Sequence, residues 1–424
     1  MNSLALNPVQ SSRWWSASVA LRGFYDDNYV SRYSGSETDN GRKGSFGLEV
    51  QPSIFIHKDL EATTISAGYT YGFHHQERRG TSDHYHLFNA SVVHKVSDIS
   101  TLTVTEYFAI AQEPQILNQD QGGGLQQRTD GSNIRNTGSV EWRSKMSDQL
   151  GYTLGYANTL FSYHDNNHNW VTPPGGTPPN SYAAKLNRME QLPSVSLRYD
   201  VKTDTTALVG YQFQDVSYTE SRDILAQWVD GAGNVRTYMP DARDSRSHFY
   251  FVGLEHTFNP KLSGWLRVGA MTVSYIRQNT PTRTNPYADL AASYRYAEGS
   301  MLQLGFRHTR SATDLAGAQP GTGSLTMDQE TSMAYLSLNH EVTKKLSVNG
   351  MLSAQYGAFR GGPYENTHER SLNASLGGAY QFNRNLSLEA GYNFDVVPSD
   401  LPAAPGEQRA YHRNYFWLGI KATL

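Results

Sequence analysis

The chain contains no cysteine. Disulfides, thiolate metal sites and a cysteine nucleophile are therefore excluded. Long apolar runs are also missing: nothing approaches the roughly 20 consecutive apolar residues a transmembrane helix needs. Mean hydropathy is −0.57, and hydrophobic residues make up 38% of the 424. Neither charge sign dominates. A net charge of −3 leaves no basic footprint for nucleic acid, so no nucleic-acid partner is expected. The opening MNSLALNPVQSS has neither the basic start nor the apolar centre of an export signal. For an exported protein the expectation is then a mature chain with an added Met1. No HExxH, GxSxG, P-loop or GxGxxG stands in the context its chemistry requires. GSETDNGRK (Gly35–Lys43) misses the P-loop because its Lys does not directly follow Gly41. The chain is expected not to be an enzyme and to use no metal or cofactor.

What is abundant points elsewhere. There are 27 Tyr, 16 Phe and 7 Trp. Such amphipathic rings gather where a β-barrel crosses the two membrane interfaces. The apolar residues alternate. In FGLEVQPSIFI, Phe46, Leu48, Val50, Pro52, Ile54 and Ile56 oppose Gly47, Glu49, Gln51 and Ser53. In LSLEAGYNFDV, Leu386, Leu388, Ala390, Tyr392, Phe394 and Val396 oppose Ser387, Glu389, Gly391, Asn393 and Asp395. A period of two is a strand with two differently solvated faces. The last fourteen residues, YHRNYFWLGIKATL, keep an aliphatic face to the terminal carboxylate, which a closed membrane barrel can cover with lipid.

Short turns recur: HKDLE (His57–Glu61), VSDIS (Val96–Ser100), KMSDQL (Lys145–Leu150), VKTDT (Val201–Thr205), FNPKLS (Phe258–Ser263), YAEGS (Tyr296–Ser300), TKKLS (Thr343–Ser347) and FNRNLS (Phe382–Ser387). Between them lie longer connections such as Asp165–Lys185 and Glu220–Ser245, rich in Pro and Gly. Short turns on one side and long loops on the other is the asymmetry of an outer-membrane barrel. Turns and loops together predict an all-β fold: a closed antiparallel transmembrane barrel of about eighteen strands, spanning 13–424 behind a periplasmic extension at 1–12. So many strands enclose a lumen too wide for Leu and Val to fill, so the polar face should look inward and the apolar face toward lipid.

Alternation then assigns the lumen. Its predicted basic residues are Arg22, Arg143, Arg198, Arg267, Arg295, Arg307 and Lys421. The acidic ones are Glu49, Glu141, Glu255, Asp289, Glu341, Glu389 and Asp395, joined by Gln51, Gln212 and Asn393. The signs nearly balance. That suits cross-strand pairing that stiffens the wall, or a sugar track, better than strong ion selectivity. Closure is predicted between the first and last strands, with Trp15, Val19, Phe416, Leu418, Ile420 and Leu424 toward lipid. Glu106, in LTVTEYFAI, falls on the lipid register and predicts a bulge or a place near the rim.

Four further clusters merit attention. His74, His75, His84 and His86 flank one short loop, as a transition-metal site or as rim histidines. Asp26, Asp27 and Asn28 could bind calcium or simply end a strand in water. His164 with Asp165 and Ser162 is the nearest approach to a rim hydrolase. Trp170, Tyr182, Trp228 and Tyr238, in the two longest loops, could stack on sugars or pack those loops together.

The first strand, ASVALRGFYDDNYVSRY, with its Tyr25–Asn28 exit, resembles that of the putative β-barrel porin 2 family. The closing strand and the NxxLS turns (Asn259–Ser263, Asn383–Ser387) agree with it. The resemblance implies either a general porin or an exopolysaccharide export channel. Exporters of anionic polymers carry a strongly basic lumen, whereas this inward set is balanced. The expected function is passive diffusion of small hydrophilic solutes across a Gram-negative-type outer membrane, with Asp165–Lys185 and Glu220–Ser245 as constricting loops. Alternatives are export of a neutral exopolysaccharide with a periplasmic partner, and a plugged structural or surface-interaction barrel. Outer-membrane lipid and the barrel assembly machinery are the other expected partners.

Overall fold

A computed structural model describes residues 13–29, 44–78, 80–111, 132–164, 181–278, 280–399, 401 and 410–424. The proposed 1–12 extension, the Gly35–Lys43 stretch, Asp165 and Trp170 lie outside the described residues. The strands in chain order are β1 (Trp15–Asp26), β2 (Ser45–Asp59), β3 (Thr63–Gln76), β4 (Thr81–Ser97), β5 (Ser100–Ala111), β6 (Ser132–Lys145) and β7 (Leu150–His164). A five-residue helix α1 (Tyr182–Leu186) precedes β8 (Arg188–Lys202) and β9 (Thr205–Tyr218). Two short strands follow in one loop, β10 (Ala226–Val229) and β11 (Val235–Tyr238). The wall continues with β12 (Ser245–Asn259), β13 (Leu262–Tyr275), β14 (Arg283–Ala297), β15 (Ser300–Ser311) and β16 (Asp328–Thr343). It ends with β17 (Leu346–Arg360), β18 (His368–Gln381), β19 (Leu386–Val397) and β20 (Tyr411–Thr423).

Eighteen of these strands form one antiparallel ring, each paired with its sequence neighbour; β9 pairs with β12, past the separate β10–β11 hairpin. The ring closes between β1 and β20, with Ser18 opposite Thr423 and Asp26 opposite Tyr415. Leu424 donates its amide to the Ala17 carbonyl at 2.8 Å, so pairing runs to the last residue. The motif at the far end of β1 fastens the same joint. Arg413 donates to Asp26 at 2.9 Å, Asn414 to Asp27 at 2.6 Å, and Asn28 to the His412 carbonyl at 2.9 Å. The Asp26 and Asp27 carboxylates are thus engaged by β20.

Which face is inner follows from convergence. Side chains of one register from β6, β7, β8, β9, β12 and β13 line a single recess. The opposite register carries exposed Val19, Leu48, Val252, Leu304, Phe416, Leu418 and Ile420. An ordinary soluble core is inverted: the aliphatic side chains point out and the ionic ones in. Glu106 corrects an expectation. The ladders of β5 to β4 and β6 run unbroken past it, and it lies mid-strand on the outer face opposite Gly138. The missing side chain at Gly138 leaves room beside the carboxylate, 2.8 Å from where a Cβ would stand.

Three prolines sit inside wall strands, and each interrupts the ladder on one side, because proline has no amide to donate. Pro52 pairs with Val19, but β2 to β3 skips from Val50 to Ser53. Pro193 pairs with Tyr156, but β8 to β9 skips from Gln191 to Ser194. Pro286 pairs with Ala270, but β14 to β15 pairing stops at Ala288.

Candidate functional site in the lumen

Most of the predicted lumen residues meet in small networks. Arg22 donates to Glu389 at 2.9 Å, lies 3.7 Å from Glu49, and stacks over the Trp417 ring at 4.6 Å. Lys421 stands 3.9 Å from Glu389. The Tyr85 hydroxyl donates to Glu49 and accepts from Gln51 at 3.0 Å. Tyr85 can lie flat there because Gly72 has no side chain; a Cβ would meet its ring at 1.9 Å. Arg198 reaches across β9 to Glu255 at 2.8 Å, and Arg307 donates to Asp289 at 2.7 Å. Arg267 lies over Trp265 and Phe251 at 5.3 and 5.8 Å. Asp395 accepts from Asn373 at 2.7 Å. Glu141 and Arg143 pair at 3.3 Å in the open, and Arg295 is exposed. Gln212, Glu341 and Asn393 are half-buried on the same register.

Among the described residues, the four histidines are not brought together as ligands. His74 stacks on Phe24 at 4.1 Å on the inner face. His84 and His86 lie on the outer face, bonded to Tyr71 at 2.6 Å and Tyr69 at 2.9 Å, and His75 bonds Ser82 at 3.0 Å. His164 is exposed.

At the loop end, two connections interlock over the lumen. Residues 219–244 carry the β10–β11 hairpin and a short 3-10 turn (Pro240–Arg243); residues 312–327 join β15 to β16. Leu225, Ala226 and Ala242 of the first pack on Leu325 and Met327 of the second. Arg243, 1% exposed, donates to the carbonyls of Thr326 at 3.1 Å and Thr313 at 3.0 Å, and to that of Leu315. One guanidinium thus satisfies three carbonyls that an irregular loop leaves without ladder partners. Tyr238 donates to the Gly323 carbonyl at 2.8 Å, and Trp228 packs on Gly323, whose φ of +69° suits glycine. Both aromatics therefore hold loop to loop. A third piece, α1, is buried against β7. Ser181 caps it by accepting from Ala184, and Asn187 accepts from the Tyr163 amide at 2.6 Å.

Beneath this roof is a recess of about 100 Å³. Four arginines line it: Arg135, Arg188, Arg243 and Arg310, against Glu190 and Asp328. Arg188 lies over the Phe161 ring at 3.8 Å and Arg135 over the same ring at 5.0 Å. Arg188 also donates to Glu190 at 2.7 Å and to the Leu186 carbonyl at 3.0 Å. Arg310 donates to Asp328, which also accepts from Tyr275. Positive charge exceeds negative on this lining, and stacking on Phe161 keeps two guanidinium planes ordered. None of these arginines was in the lumen set predicted by alternation. Arg135, Arg188 and Arg310 stand within a few residues of a long loop, and Arg243 stands inside one. Arginine at the loop-side strand ends is the signal that would have found them.

The family described as putative beta-barrel porin 2 matches residues 216–423. The match takes in the closing strand and begins after the first strand, so the likeness is carried by the C-terminal half. No curated protein sequence matches the chain. Among solved structures, a mutant ferric enterobactin receptor PfeA from Pseudomonas aeruginosa is similar with a TM-score of 0.44 and 10% identity, over 96% of this chain and 81% of that one. OccAB4 of Acinetobacter baumannii is similar at 0.43 and 15%, covering 99% of this chain and 100% of its own. OccK11 (OpdR) of Pseudomonas aeruginosa is similar at 0.40 and 13%, covering 97% and 96%.

Proposed function

We propose that this barrel, of the porin 2 family across residues 216–423, resides in a Gram-negative-type outer membrane and passes small hydrophilic solutes by diffusion. The inverted wall carries this reading. Exposed aliphatics such as Leu418 (58%) and Val252 (57%) girdle the outside, while Arg22, Glu49, Glu389 and Arg198 form ionic networks within. Lipid satisfies the first set, and water and fixed partners the second. The balanced networks keep the lower wall indifferent to charge, and the arginine-rich recess is where a passing solute meets selectivity. Lipid and the barrel assembly machinery are the partners this reading entails.

Single-channel recording in planar bilayers tests it: steady conductance is expected, and its absence at all voltages would sink the diffusion reading. The interlocked roof favours a second reading, a barrel closed by its own loops. That reading expects no conductance in the intact protein and conductance once the 312–327 loop is cut.

A further inference from the structure

Among the described residues, the β14–β15 ladder breaks on the loop side and does not resume although both strands continue. At Pro52 and Pro193 pairing is lost and then restored further along the same strand pair. At β14–β15 the last pair on the loop side is Ala288 with His308. Beyond it, Arg283–Tyr287 pair only with β13, and Thr309–Ser311 only with β16. Extending the register would set Pro286 opposite Arg310, and the proline ring offers no amide there.

Side chains, not backbone, fill the seam. Arg310 shares its register with outward Leu304, yet the residue is only 6% exposed. Its guanidinium reaches Asn285, on the inner register, at 3.1 Å, and Asp328. Glu330, also on the outward register, accepts from Asn285 at 3.1 Å. These chains cross the wall from outside to inside, which a closed ladder would not allow. The inner wall beside the seam is apolar. Phe249, Met271 and Val273 are buried there, and Tyr287 stands edge-on to Phe249 at 5.4 Å. His308 is eight residues above the Ser300 turn. At a rise of about 3.3 Å and a tilt of about 40° that is roughly 20 Å, near the outer-leaflet interface.

We infer that the β14–β15 seam is a lateral doorway joining the arginine-lined recess to the outer leaflet, and that it passes single-chain amphiphiles with an anionic head. The head is held by recess arginines, the tail lies along the Phe249–Val273 wall, and Arg310 with Asp328 is the latch. The inference rests on the membrane-barrel reading above and not on axial diffusion.

The native chain has no cysteine, so a paired variant can close the seam cleanly. Tyr287→Cys with Thr309→Cys is placed in liposomes, oxidised or reduced. Transfer of a fluorescent dodecanoate and entry of arabinose are followed in parallel, with heat-modifiable gel mobility confirming the folded barrel. The expected result is loss of dodecanoate transfer on oxidation, its return on reduction, and unchanged arabinose entry. Pro286→Thr, which restores an amide donor, is expected to slow dodecanoate transfer without a crosslink. Dodecanoate transfer that is absent from the reduced protein, or indifferent to oxidation, overturns the doorway. A parallel loss of both fluxes overturns it too, since both probes then share one axial route. Gated dodecanoate transfer with no arabinose entry supports the doorway and refutes the diffusion reading instead.

Discussion

The turn end and the loop end of the barrel carry similar charges in opposite settings. Near the turns, Glu141 and Arg143 pair with side chains 47% and 53% exposed, and Lys145 stands 3.9 Å from a half-exposed Asp200. Near the loops, Asp26 is fully buried against Arg413, and Arg310 and Arg243 are almost wholly enclosed. Water screens the first group, and each pair is worth at most about 1 kcal/mol. The second group is removed from water, so its partners are obligatory: a missing one leaves a buried charge or carbonyl stranded. The turn end is held by its ladder and tight turns. The loop end is held by buried arginines.

The largest expected break of this contrast is Arg243→Met. It leaves three carbonyls of the 312–327 loop without their donor, at roughly 1–3 kcal/mol each for a buried group. The loop should become protease-sensitive and the conductance should rise, while the barrel keeps its heat-modifiable mobility. A loop as resistant as in the parent would show that the apolar contacts of Leu325 and Met327 suffice.

A pair of carboxamide substitutions sharpens the comparison. Asp26→Asn removes the buried negative charge that faces Arg413 at the β1–β20 joint and should cost about 3–5 kcal/mol in urea unfolding from detergent. Glu141→Gln breaks an exposed pair and should cost less than about 1 kcal/mol. Equal losses would mean that the two ends are not held differently.

How much of this was legible in the sequence depends on the period of the interaction. The eighteen strands and their two faces follow from alternation and turn chemistry, which repeat locally, and the β1–β20 closure follows from a terminal apolar strand that needs its edge covered. Arg22 reaching Glu389, 367 positions away, could be placed on a face but not given a partner. The roof was legible only as length. Nothing local tells Arg243 to reach Thr313 and Thr326. In the sequence the Tyr25–Asn28 exit is a family resemblance, a calcium candidate or a strand end; its work of fastening β1 to Arg413 and Asn414 depends on the register. Glu106 failed for a different reason. A rule that charge leaves the lipid face overlooked the space that Gly138 provides beside it.

The smallest effect separates two aspartates of one loop. Asp230 accepts from the amides of Asn234 and Ala232, each at 2.9 Å, and from Arg236 at 2.9 Å. Those donors, the Asn234 amide foremost, hold its carboxyl down to about 2. Asp244 is pushed up from the ordinary value by burial, although the Tyr218 amide at 2.8 Å and Arg277 at 3.5 Å pull the other way. The signs follow from linkage. Asp230 supports the hairpin fully above the unfolded aspartate value, and that support fades as pH falls through about 2. Asp244 favours the folded loop below the unfolded value, and that preference is lost as pH rises through its elevated one. Carboxyl-carbon NMR titration in detergent should therefore resolve two aspartates displaced to opposite sides of about 3.9. Asp244→Asn should erase the upper step and leave the lower one. If both titrate together near the unperturbed value, the hairpin tip is not held by Asp230, and the roof depends on Arg243 and its apolar contacts alone.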